Sequence, residues 1–183
     1  MTSVITAFWR RLDVPGHDAA SVSQTACGYE LFGQSVFLDS RGPAALRYFL
    51  TLKPDWSIIE GRITGFIGER PVNTHIVRSP EGWTLNGTNY GMAGVVDLDL
   101  GFTPATNILQ LKRTSLAINE VTNFDVAWVE AGDEKLQRLP QEYRRISEFE
   151  YDYNSPTVDY HATIVLTPSG FAAVYPGLWE IVR

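Results

Sequence analysis

One cysteine, Cys27, stands in a chain of 183 residues, so no intrachain disulfide can form and no Cys-based zinc site can be built. No apolar run approaches the roughly 20 residues that a bilayer-spanning helix needs. Positive charge is also scarce. Fifteen Lys plus Arg against 21 Asp plus Glu leave a net charge of -6, the wrong sign for a protein that tracks phosphate backbones. Nucleic acid is therefore not an expected partner. The positive charges of Trp9-Arg10-Arg11 follow a short apolar patch instead of preceding a long one, so no secretory signal is read. The expectation is a cytoplasmic protein that is not integral to a membrane.

Catalytic signatures are missing too. The nearest approach to a G-x-S-x-G elbow, Gly33-Gln34-Ser35-Val36-Phe37, lacks its second glycine. Gly87, Gly91 and Gly94 have the wrong spacing for a dinucleotide or phosphate loop. His17, His75 and His161 stand alone, without the spacing that places two imidazoles on one metal. No cofactor and no metal are expected.

What is present is a hydrophobic fraction of 44%, with 5 Trp, 8 Tyr, 9 Phe, 15 Gly and 10 Pro, a strand-and-turn vocabulary. Length and composition suit a single domain over residues 1–183. Period-two alternation dominates. Leu46, Tyr48, Leu50 and Leu52 alternate with more polar neighbours, as do Ile59, Gly61, Ile63, Gly65 and Ile67. Phe124, Val126 and Trp128, and later Tyr160, Ala162, Ile164 and Leu166, repeat the pattern. Turn signals such as Arg41-Gly42-Pro43, Lys53-Pro54-Asp55 and Ala131-Gly132-Asp133 separate the runs, which points to an antiparallel, hairpin-rich sheet. Gly61, Gly65 and Gly68 predict that the sheet bends sharply there.

One helix is expected. Thr103-Pro104 supplies an N-cap residue and a proline at the first helical position. Ala105, Ile108 and Leu109 then share a face, and Lys112 and Arg113 sit at the end where the helix dipole favours cations. Residues 134–146 could hold a second helix, but Pro140 interrupts it and strands around a turn are read instead.

The densest polar constellation is Asp97-Leu98-Asp99-Leu100-Gly101-Phe102-Thr103-Pro104-Ala105-Thr106-Asn107. On a strand, Asp97 and Asp99 share one face, where they could share a proton, hold a cation, or simply bond turn amides and pair with Lys112 or Arg113. Asn107 could reach a ligand or a strand backbone. Aromatic residues form a second candidate set, among them Trp83, Tyr90, Trp128, Tyr153, Tyr175 and Trp179, which can stack on sugars, line a pocket or pack as core.

On these residues the chain resembles a bacterial family described as glycolipid-binding proteins. The landmarks are Trp9-Arg10-Arg11-Leu12, Glu81-Gly82-Trp83, the Asp97-to-Asn107 block, Gln141-Glu142-Tyr143-Arg144-Arg145 and Val174-Tyr175-Pro176-Gly177-Leu178. After the Thr-Asn pair the family pattern continues Leu-Pro-Ile-Arg-Arg, whereas here Gln110 replaces the proline and Lys112 the first arginine. The resemblance implies a mainly β spiral roll: one antiparallel sheet of roughly fifteen strands wrapped around a single short helix, forming homodimers. It also implies a non-catalytic protein that binds a glycolipid or other hydrophobic small molecule. Candidate ligand contacts are Asp97, Asp99, Thr103, Asn107, Lys112, Arg113, Trp83, Tyr90 and Tyr175. Two rivals are an enzyme with Asp97 or Asp99 as acid or base and Arg113 or Lys112 stabilising negative charge, and a dimeric scaffold whose interior is filled.

Overall fold

The computed structural model describes residues 4–182. Eight strands come first: β1 (Val4–Arg11), β2 (Gly16–Thr25), β3 (Gly28–Asp39), β4 (Gly42–Leu52), β5 (Ile58–Ile67), β6 (Arg70–Ser79), β7 (Gly82–Leu85) and β8 (Thr88–Asn89). A crossing segment leads to β9 (Asp97–Leu100), a 3-10 turn (Pro104–Asn107) and the helix α1 (Ile108–Arg113). The chain closes with β10 (Val121–Val129), β11 (Gln137–Arg145), β12 (Glu150–Ser155), a second 3-10 turn (Pro156–Val158), β13 (Tyr160–Leu166), β14 (Ala172–Tyr175) and β15 (Trp179–Ile181).

All fifteen strands join one sheet, ordered β8-β7-β6-β5-β4-β3-β2-β1-β15-β14-β13-β12-β11-β10-β9. The sheet is not closed into a barrel. Its centre is the pairing of β1 with β15, which joins two runs of hairpins. The sheet is mixed rather than wholly antiparallel, because β9 runs parallel to β10. A parallel pair cannot be joined by a tight turn; the 3-10 turn, α1 and the following loop supply the crossover.

The alternation read from sequence decides which side chains face inward. Leu46, Tyr48, Leu50 and Leu52 are all buried. In β5 the phase slips: Leu52 pairs with Ile58 but Thr51 with Glu60, so Ile59 is the extra residue of a bulge. Ile58 therefore packs in the core and Ile59 is exposed, which corrects the reading that placed Ile59 inside. The glycines of β5 act differently from one another. Gly65 has φ +142, where a Cβ would run into the Ala45 carbonyl, and so bends the strand. Gly61 instead leaves the space into which the Leu50 and Leu98 side chains pack.

Thr103 caps the helical segment as expected, its Oγ1 accepting from the Ala105 amide at 3.1 Å. The first turn is 3-10 and only Ile108–Arg113 is α-helical. Ala105, Ile108, Leu109 and Gln110 are buried inside the roll. All four residues of β9 are buried as well, so β9 lies between two parts of the core. Leu98 packs over Gly61 of the first half, while Asp97 and Asp99 face the second. Residues 137–145 form a strand, not a helix, and Pro140 is tolerated there because β12 pairs with β11 only at residues 142–145.

Candidate functional site

The interior leaves two recesses of similar size, one lined by Ile5, Val22, Tyr29, Trp56 and Lys112 and one on the second half that gathers the polar residues. The latter, a cleft of about 270 Å³, enters at one end, near the lower limit of roughly 300–1,000 Å³ for small-molecule sites. One wall is aromatic: Tyr153 of β12, Tyr160 of β13, Tyr175 of β14 and Trp179 of β15, with Trp128 of β10 facing the same space. The three tyrosine rings pack mutually with centroids 5.3 to 5.9 Å apart. Tyr160 donates its hydroxyl hydrogen to the Pro176 carbonyl at 2.6 Å, and burial pushes its pKa up to about 12. Burial also raises Tyr153 and Tyr175, so all three remain protonated hydrogen-bonding groups.

The rest of the lining is mostly polar. Arg11, at the end of β1, holds Asp13 with two hydrogen bonds of 2.8 and 2.9 Å. Its guanidinium lies over the Phe37 and Trp179 rings, and its buried Nη1 has no hydrogen-bond partner. Asp99 accepts from Gln141 Nε2 at 2.7 Å and from Thr106 Oγ1 at 3.4 Å. Among the described residues no cation pairs with it. Burial, opposed by those hydrogen bonds and reinforced by the charge of Glu130, raises its pKa to about 6. Glu130, also lining the cleft, is raised by burial against the help of the Ala131 amide. Gly101 is what admits it: a Cβ there would lie 2.8 Å from both Glu130 Oε1 and Trp128 Nε1.

Behind the cleft sits a buried relay. Thr103 Oγ1, already accepting from Ala105, donates to Tyr48 Oη at 2.9 Å, and Tyr48 donates to Asp18 Oδ1 at 2.7 Å. Asp18 is 1% exposed and its Oδ2 has no partner. Burial dominates its environment and raises its pKa to about 7. Gly33, directly across from Tyr48, makes the relay possible, since a Cβ would occupy the place of the Tyr48 ring.

The nine residues singled out in the sequence divide among several places. Asp99, Thr103, Asn107 and Tyr175 line the cleft. Asp97 does not; it is bound by Arg113 through contacts of 3.2 and 2.5 Å in a separate depression. Lys112 lies on yet another side, its stem against Gly170. Trp83 is sealed in the core and donates to the Val95 carbonyl at 2.9 Å. Tyr90 donates to the Glu134 carbonyl at 2.6 Å. The cleft residues that had not been singled out as ligand contacts include Arg11, Glu130, Tyr153, Tyr160 and Trp179, and Asp18 stands behind them. Parity gives a usable signal for two of these: Arg11 follows Ile5, Ala7 and Trp9 on the inward side, and Asp18 precedes Ala20 and Val22 there.

Fold and cleft together define a spiral β-roll with an amphipathic, aromatic-walled recess. The sequence model of the family described as "Putative glycolipid-binding" matches residues 6–181. The chain belongs to that family. Its fold is similar to the crystal structure of a DUF1089 family protein from Pseudomonas aeruginosa, with a TM-score of 0.76 and 22% identity over 98% of this chain and 92% of that one. No curated protein is matched. Among the described residues no group of three or more His, Cys, Asp and Glu is placed to hold a metal, and no helix is long and apolar enough to cross a membrane.

Proposed function

We propose that this protein is a non-catalytic glycolipid binder that holds the sugar head of its ligand in the cleft. The observation that carries this reading is the pairing of an aromatic wall with an edge of carboxylates, guanidinium and amide in one recess. Sugar rings present apolar C–H faces that stack on aromatic planes and hydroxyls that need both donors and acceptors. The volume suits a head group, leaving the acyl chains to extend beyond the opening. Lipid extraction of the purified protein with mass spectrometry, together with titration by alkyl glycosides followed by thermal shift, tests it. Co-purified glycolipid or a dose-dependent rise in Tm supports the reading, and the lack of both refutes it.

The enzymatic alternative needs a carboxylate and a base or cation in one concave pocket: Asp99 and Glu130 share the cleft with Arg11, which Asp13 already holds, and Asp97 meets Arg113 in a separate depression. The filled-scaffold alternative needs an interior without a recess.

The working unit in this proposal is a single domain that pairs into a homodimer in the cytoplasm, where an exposed thiol such as Cys27 stays reduced. Its dimer face is the outer side of β1, β2, β3 and β15. There a groove floored by Thr6, Ala19 and Ser21 runs between Phe8 and Phe32, which are 45% and 41% exposed. A two-fold axis lets the phenylalanines of one protomer fill the groove of its partner. Because this groove and the cleft lie on opposite faces of the same strands, one lipid cannot occupy both. Phe32→Glu is expected to give monomers by light scattering while leaving the cleft intact; a wild-type chain that runs as a monomer at all concentrations sinks the dimer proposal.

A further inference from the structure

The cleft carries an unusual balance of charge. Arg11 and Asp13 pair with each other, and Asp99 and Glu130 add two carboxyl groups that form no ion pair among the described residues, so carboxyl groups outnumber the one guanidinium that lines the cleft. At the same time Arg11 Nη1 is buried and lacks an acceptor.

Resting on the glycolipid reading, we infer that the cleft selects an uncharged, hydroxyl-bearing sugar head and rejects anionic heads such as uronic acids or phosphorylated sugars. A hydroxyl meets both signs of the site without bringing charge: its oxygen can accept from the Arg11 guanidinium that lines the cleft, and its hydrogen is donated to Glu130 or to a free lone pair of Asp99. An anionic group satisfies Arg11 but places like charge beside two carboxylates in a partly desolvated recess. A quaternary ammonium finds the tyrosine wall and the carboxylates but leaves Arg11 unmet and brings like charge next to the guanidinium. Trp128 and Glu130 approach over Gly101 from the same side, so a ring stacked on the indole brings its hydroxyls within reach of the carboxylate.

The test uses octyl glucoside, octyl glucuronide and octyl phosphate, all below micelle formation, titrated by calorimetry at pH 8. The glucoside and glucuronide share ring and chain and differ in the charge at one carbon. The inference expects the glucoside to bind at least about tenfold more tightly than either charged probe. Glu130→Gln is expected to narrow the glucoside-to-glucuronide ratio to within about threefold, because one repelling charge is gone. Arg11→Gln is expected to weaken glucoside binding about tenfold or more. Equal or tighter binding of the glucuronide, or of the octyl phosphate, overturns the selectivity while leaving glycolipid binding standing. Failure of all three probes to bind overturns the glycolipid reading itself.

Discussion

Asp18→Asn isolates the least comfortable group in the fold. Asp18 points inward from β2, is 1% exposed, and receives one hydrogen bond from Tyr48, leaving Oδ2 without a partner. Its pKa stands at about 7 against an ordinary 3.8. At 1.36 kcal/mol for each unit, ionising it in the folded protein costs on the order of 4 kcal/mol relative to the unfolded chain. The sign follows from which state holds the proton. Between these two values the native state retains a proton that the unfolded chain has released, so stability falls as pH rises through that window and the loss is complete above it. Between pH 5 and pH 8.5 the wild-type protein is expected to lose about 3 kcal/mol from this group alone. Asn keeps the size and an acceptor for Tyr48 but has no proton to lose, so the variant is expected to be the more stable protein at pH 8.5 and to show the flatter pH profile. Asp99 and Glu130, raised in the same direction, add a common slope to both proteins, which makes the difference between them the quantity to measure. Urea unfolding followed by tryptophan fluorescence at the two pH values supplies it. Parallel pH profiles for wild type and variant refute the reasoning.

Other perturbations probe separate parts of the structure. Arg113→Met strands the buried Asp97 carboxylate, with an expected loss of about 3 kcal/mol, and adding Asp97→Asn is expected to recover most of it; equal stability of the single and double variants in denaturant titrations contradicts the ion-pair account. Gly65→Ala forces a Cβ against the Ala45 carbonyl at positive φ, so a loss of at least about 2 kcal/mol is expected; a thermal midpoint unchanged from wild type shows that the bend in β5 does not depend on glycine.

The strand phases, the single helix and its Thr103 cap were legible in the sequence because they are local: alternation and capping need only a few neighbouring residues. The bulge at Ile59 and the parallel pairing of β9 were not, since each is decided by a partner strand distant in the chain. The site shows the same division. Asp99, Thr103 and Asn107 drew notice as a dense polar run, but Asp97 sits two residues from Asp99 and still finishes in a different depression, because Arg113 claims it. Glu130 gave no signal of its own; only the pairing of Val129 with Leu100 brings it beside Gly101. Arg11 and Asp18 were discoverable as charges at inward parity, a pattern that marks either a buried ion pair or a site.

The central claim is that the aromatic-walled cleft receives a sugar ring, and the tryptophans provide an internal comparison. Trp128 and Trp179 line the cleft, whereas Trp83 is sealed in the core with its indole N–H bonded to the Val95 carbonyl. Nuclear magnetic resonance of the indole N–H signals during titration with octyl glucoside is predicted to shift those of Trp128 and Trp179 together while Trp83 stays fixed. Saturating glucoside that leaves both cleft signals unmoved contradicts the account.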